Sequence, residues 1–102
     1  MSQLRPTSAL VDLDALRHNL AQVRAQLPQG VRVLAAVKGD AYGHSATLCA
    51  GALEEAGVEW FGVALVEEGR ELRDHGITGR ILCLGGAGPF GADEAIRLGL
   101  TP

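Results

Sequence analysis

Lys38 closes an apolar run, Val31 to Val37, and leads into Gly39-Asp40-Ala41-Tyr42-Gly43-His44. Period-two alternation places Leu34, Ala36 and Lys38 on one face of a strand. In parallel α/β folds, sites form in the loops that follow the C-terminal ends of strands. If that face lines a barrel, the lysine points inward at its mouth. Desolvation at such a place favours the neutral amine, which suits a nucleophile or a Schiff-base former. The loop behind it offers the Tyr42 hydroxyl and flexible glycines ahead of a helix N-terminus, where a phosphate is attracted. An isolated lysine would read as a surface residue with its stem along apolar neighbours. The strand face, the desolvated position and the loop together weigh against that reading.

The other polar candidates read as structural. His44 orders the loop or the start of the next helix, and His18 and His75 fall on solvated helix faces. Asp40 is a turn or capping acid. Glu67, Glu68, Arg70 and Arg73 form a solvated helix face with local ion pairs. No carboxylate–histidine set has metal-ligand spacing, so no metal is expected.

These residues need a frame. Thr7 to Leu13 alternates like a short strand, and Asp14 is placed to cap a helix with an apolar stripe at Leu16, Leu20, Val23 and Leu27. Pro28 and Gly30 stop it. Val31 to Val37 reads as a buried strand. A second helix then turns Leu48, Ala52, Leu53 and Ala56 inward, with Gly57 as its C-terminal cap. Trp60 to Leu65 is a strand, Val66 to His75 a charged helix and Arg80 to Leu84 a third buried strand. Gly85 to Phe90 is a Gly-rich loop, and Ala92 to Leu98 a short helix ending at Gly99. Alternating strands and helices with short connections predict an α/β fold with parallel strands. The alternation alone fits a barrel or an open doubly wound sheet.

Composition narrows the partners. The net charge is −3 and aromatic residues make up 4% of the 102 residues, which argues against a nucleic-acid groove or a base-stacking platform. No apolar run approaches the ~20 residues that cross a bilayer, and the first residues lack a secretory apolar core. Cys49 and Cys83 lie far apart in apolar surroundings and read as buried free thiols in a reducing cytoplasm.

The stretch Ala36-Val37-Lys38-Gly39-Asp40-Ala41-Tyr42-Gly43-His44 resembles the pyridoxal-phosphate attachment motif of bacterial alanine racemases. Val11 to Leu20 is similar to the family's opening. Phe61-Gly62-Val63-Ala64, Glu67-Glu68, Leu72-Arg73, Gly76-Ile77 and Ile81-Leu82 follow in the family's order. Gly39 stands where the family usually has alanine, and Ser45 where it usually has glycine. The resemblance implies the N-terminal part, about three βα units, of a TIM (β/α)8 barrel preceded by a short strand. It implies that Lys38 holds pyridoxal 5'-phosphate as a Schiff base and serves as an acid/base group at Cα on the D-alanine side. It further implies that Tyr42 bonds the cofactor phosphate and that Ala36, Leu82 and Leu84 line the cofactor pocket. The expected reaction is interconversion of L- and D-alanine, in a cytoplasmic homodimer that supplies peptidoglycan synthesis.

At about 31 residues per βα unit, this length amounts to under half of a barrel. The remaining barrel, a C-terminal β domain, the second base (a tyrosine of the partner subunit) and most of the phosphate cup are expected outside these residues. The segment by itself is expected to be inactive. Two other readings stand beside this one. Gly86-Ala87-Gly88-Pro89-Phe90-Gly91 spells GxGxxG between a strand and a helix, as a nucleotide-binding α/β module would. Pro89 opposes it by withholding an N–H where a pyrophosphate needs one, and favours a βα loop with Pro89 in the first turn of a helix. The third reading is a non-catalytic pyridoxal-phosphate barrel protein, which the loop after the lysine disfavours.

Overall fold

Asp12 opens the first element. Its side chain accepts the Ala15 N–H at 3.0 Å and caps α1 (Leu13–Gln26). Capping thus falls two residues earlier than the sequence suggests. Leu13 is helical rather than the end of a strand, and Asp14 lies in the first turn, where its charge suits the positive end of the helix. The rest of the expected opening strand, 7–11, lies outside the described residues. The computed structural model describes residues 12–43, 45–86 and 88–101, with the side chains of Tyr42, Pro89 and Phe90 outside the description.

The order continues β1 (Leu34–Ala36), α2 (Lys38–Gly43), α3 (Ala46–Glu55), β2 (Trp60–Val63), α4 (Val66–Asp74), β3 (Arg80–Cys83), α5 (Gly88–Leu98) and β4 (Leu100–Thr101). The strands are shorter than their apolar runs, because a strand ends where its neighbour stops pairing. The ladder still extends a little further, through Val37 N–H to Gly62 O at 2.8 Å and Leu84 N–H to Val63 O at 2.6 Å. β4 was not foreseen, since two residues are too few to show a pattern. Conversely α5 begins at Gly88, four residues before the expected Ala92, and Pro89 falls in its first turn.

All four strands are parallel and lie in sequence order, β1-β2-β3-β4. That order decides what the alternation left open. A doubly wound sheet reverses its strand order at a switch point, whereas a barrel adds each strand beside the last. The register aligns Ala35, Phe61, Ile81 and Leu100 in one row and Val63 with Cys83 in the next. These residues face the helices, and Phe61, Val63 and Ile81 are fully buried. The opposite face carries Leu34, Ala36, Gly62, Leu82 and Leu84, and there Leu34 is 40% and Leu84 49% exposed. Helices therefore cover one face only, in a slab 21 Å thick.

The α3 face differs from the one read off the sequence. Ala46, Cys49, Ala50, Ala52 and Leu53 are buried, and Leu48 is exposed. The stripe at 46, 49, 50 and 53 is helical in period, but alanine and cysteine weigh little in a pattern that looks for leucine. Small residues also let α3 lie close to α1 and α2. Leu53 and Ala52 were placed correctly. Both cysteines are buried thiols outside any disulfide, and burial pushes both thiol pKa values up. Among the described residues no helix is long and apolar enough to cross a membrane.

Candidate active site

Lys38 leaves the C-terminal end of β1 on the face that no helix covers, two residues beyond Ala36. It is solvent-exposed and is the single lysine among 102 residues. Register brings the other expected residues to the same face. Ala36 pairs through Gly62 with Leu82, and Leu84 lies one alternation further along β3. A Cβ on Gly62 would meet Leu34 Cδ2 at 3.0 Å and Leu84 Cδ1 at 3.2 Å, so these two leucines lean over the glycine from either side. Ala36, Leu82 and Leu84 thus share one sheet face, and the exposed Lys38 follows β1 at the end of it. The Tyr42 side chain and His44 lie outside the described residues.

After Lys38 the chain does not form the open loop the sequence suggests. It coils at once as α2, and the coil is left-handed: φ is 61° at Gly39, 55° at Asp40, 55° at Ala41 and 87° at Gly43. For residues with a Cβ this conformation costs roughly 1–2 kcal/mol each. Three contacts hold it. Ala41 N–H donates to Val37 O at 2.8 Å. Asp40 Oδ1 accepts the Ala46 N–H at 2.8 Å, so Asp40 does act as the capping acid its position suggested. Gly39 N–H donates to Glu68 Oε2 at 2.7 Å.

The same conformation explains both departures from the family motif. Gly39 occupies a positive φ without a Cβ penalty, and space around it is open. Ser45 has φ 69°, a backbone region that suits the glycine the resemblance leads one to expect there. It is retained as the N-cap of α3, with Oγ accepting the Leu48 N–H at 3.4 Å.

Glu68 is not the solvated helix residue that its charge cluster suggested. It is half-buried, and besides Gly39 it accepts Ala64 N–H at 2.7 Å and Leu65 N–H at 2.9 Å, both on Oε1. Burial would raise its carboxyl pKa, but the Leu65, Gly39, Ala64 and Asp40 amides together hold it below the usual carboxylate range. The signal was partly visible, since a glutamate three residues after a helix N-cap commonly bonds the cap's N–H. Leu65 has no side-chain acceptor to complete the pair. Arg73 is likewise a clamp: its guanidinium donates to the carbonyls of Leu98, Ile77, Gly79 and Gly99. Arg70 pairs at the surface not within its own helix, as expected, but with Glu94 of α5 at 2.9 Å.

Two other places fit the site less well. The Gly86 loop follows β3, where the strand order does not reverse, so it lacks the crevice of a dinucleotide site. Gly85 marks instead a close approach of two βα loops, since a Cβ there would lie 2.9 Å from Ala64 O. A cleft of about 160 Å³ lies at the other end of the sheet, bounded by Arg24, Val31, Arg32, Gly57, Glu59 and Trp60 among others. Cofactor pockets run from about 300 Å³ upward, and this one is away from Lys38.

Comparison with known proteins agrees with this geometry. The family described as "Alanine racemase, N-terminal domain" matches residues 11–102. A protein named alanine racemase from Geobacter sulfurreducens is 52% identical over 97 residues, which are 95% of this chain and 25% of that protein. Another from Acidithiobacillus ferrooxidans is 51% identical over 90 residues, 88% of this chain and 24% of that one. Among solved structures, alanine racemase from Clostridium difficile 630 in complex with cycloserine superposes with a TM-score of 0.90 at 36% identity, covering 97% of this chain and 27% of that one. The chain therefore spans about a quarter of the length of the relatives it matches. Its sequential parallel sheet is the N-terminal arc of their barrel, and the chain belongs to the alanine racemase N-terminal domain family.

Proposed function

We propose that this domain supplies the cofactor-bearing lysine of an enzyme that interconverts L- and D-alanine. The observation that carries the reading is the chain's single lysine on the uncovered sheet face, directly before a left-handed turn. The activity belongs to the whole enzyme, in which further barrel strands would cover Leu34 and Leu84 and a β domain would follow.

The residues present suit pyridoxal 5'-phosphate. An amine at the C-terminal end of a parallel strand can bind its aldehyde carbon, and the small Ala36 leaves room for a flat ring beside it. When bound, pyridoxal phosphate draws the electrons of the broken Cα–H bond into its ring. Lys38 would hold the group covalently, and its Nζ, once released from it, would take or return the proton at alanine Cα on the D side. The Tyr42 hydroxyl would donate to the phosphate. Leu82 and Leu84, once the further strands cover them, would keep water from one side of the site, which would strengthen the polar contacts within it. A base on the opposite face comes, in this reading, from the partner subunit of a homodimer. The D-alanine formed would serve peptidoglycan synthesis in the cytoplasm.

The test uses the reactivity of that single lysine. Pyridoxal phosphate is added to the chain, borohydride fixes any Schiff base, and the peptides are mapped. Label on the peptide containing Lys38 is expected. Label confined to the α-amino group, or none, overturns the assignment. The reaction is checked by replacing the matching segment of the Geobacter sulfurreducens enzyme with residues 11–102. The hybrid should form D-alanine from L-alanine, and Lys38→Ala in it should not.

A further inference from the structure

Three backbone amides within 2.9 Å converge on one carboxylate, with that of Asp40 beside them, and they come from two different loops. Ala64 and Leu65 belong to the turn between β2 and α4, four and three residues from Glu68, and their bonds to Oε1 close the first turn of α4. Those two contacts are ordinary capping. The third is not local: Gly39 is 29 residues away and belongs to the turn after β1. Its N–H meets the other oxygen, Oε2, at 2.7 Å. The residue it tethers is the immediate neighbour of Lys38 and the first of the left-handed turn. Asp40 and Ala41, at φ 55° each, follow directly, so this tether fixes the entry of a backbone segment that would otherwise relax.

We infer that Glu68 is a positioning residue, which holds the Gly39 amide and with it the strained turn that fixes the direction in which Lys38 leaves β1. The inference rests on the cofactor role of Lys38 given above. It assigns Glu68 no contact with substrate or cofactor. It also accounts for the use of both oxygens: one serves the helix, the other serves the lysine turn.

Glutamine separates the two duties. In Glu68→Gln the carbonyl oxygen can satisfy only one side, and the two amides of the α4 cap claim it. The NH2 group then faces the Gly39 N–H, donor against donor. The cap survives and the tether is lost. Glu54 supplies a matched control, because it accepts Thr78 N–H at 3.0 Å and Gly79 N–H at 2.7 Å at the opposite end of the sheet. Glu54→Gln should loosen a loop of similar kind without touching Lys38.

Amide hydrogen exchange on the full chain reads the tether without any cofactor. Exchange at Gly39 should rise about tenfold or more in Glu68→Gln, as expected for a lost bond to a charged acceptor, while Val37 keeps its protection. Capture of pyridoxal phosphate at Lys38, trapped by borohydride, should slow by a similar factor in Glu68→Gln and be unchanged in Glu54→Gln. Unchanged Gly39 exchange, or equal capture by Glu68→Gln and wild type, overturns the inference. Capture slowed equally in both variants also overturns it, since stability alone would then explain the effect. A wild-type chain that takes no label at Lys38 while Gly39 still responds overturns the lysine's cofactor role, and the positioning role with it. Should Glu68→Gln fail to fold, Glu68→Asp retains the charge but is too short to reach cap and Gly39 together. Faster Gly39 exchange is expected there too, and unchanged exchange again overturns the inference.

Discussion

At the N-terminal end of the sheet, side chains fasten relaxed backbone. Arg24 donates to Ala56 O at 2.6 Å, Arg73 gathers carbonyls from two loops, and Glu54 accepts the Thr78 and Gly79 amides. The arginines lie in the last turns of their helices, where positive charge meets exposed carbonyls. At the C-terminal end one carboxylate, Glu68, does similar fastening, but one of its partners begins a segment with non-glycine residues at positive φ. The contrast separates two uses of the same bond. At one end hydrogen bonds add stability. At the other they restrain a conformation that the sequence disfavours, and the restrained segment is the one that carries the amine.

Substitutions can break that contrast. The largest expected effect is functional: Lys38→Ala removes the borohydride-trapped cofactor from the peptide around position 38, yet leaves chemical-denaturation stability within about 0.5 kcal/mol, as for an exposed residue. A collapse in stability would mean that Lys38 is structural. Next comes Arg73→Ala, which strands four carbonyls and should cost about 2–3 kcal/mol in the same measurement, with cofactor capture per folded molecule unchanged. Lost capture in that variant would show that the two ends are coupled.

Smaller effects sharpen the comparison. The Glu68 carboxyl titrates below its ordinary value of 4.5 in the folded chain. The stability it lends is therefore present above that pH and is lost as pH falls through the lower, folded value. The stability difference between wild type and Glu68→Gln should shrink in acid below about pH 4.5, read from denaturation curves across pH. Ser45→Gly should raise stability by about 0.5–1 kcal/mol, because relief at φ 69° exceeds the few tenths lost with the cap bond. A loss instead would mean that the Ser45 cap matters more than the strain.

Much of the frame was legible because it rests on periodicity. The runs ending at Lys38, near Val63 and near Cys83 gave three strands of the sheet, and alternation put Lys38, Ala36, Leu82 and Leu84 on a common face once register was known. Register itself was not readable, since it depends on pairing between distant residues. The α3 face was misjudged because Ala46 and Ala50 are quiet in a hydrophobic pattern. The left-handed turn was hidden for another reason: Asp40 and Ala41 do not announce positive φ, and only contacts with Glu68, Val37 and Ala46 impose it. Glu68 looked like part of a charged helix surface, because spacing shows a helix cap but not a partner 29 residues away.

The β1 ladder contains just three register pairs, Leu34 with Trp60, Ala35 with Phe61 and Ala36 with Gly62. Side chains alternate along it, so the ladder works as a parity device for everything downstream of it. Deleting one residue between Val31 and Lys38 would move the lysine to the place of Val37, whose side chain is 2% exposed against the helices. Deleting two would restore the face while shortening the reach. Residue count in this strand is therefore constrained as well as residue type, and insertions or deletions should collect beyond Gly43 or before Val31 rather than between them.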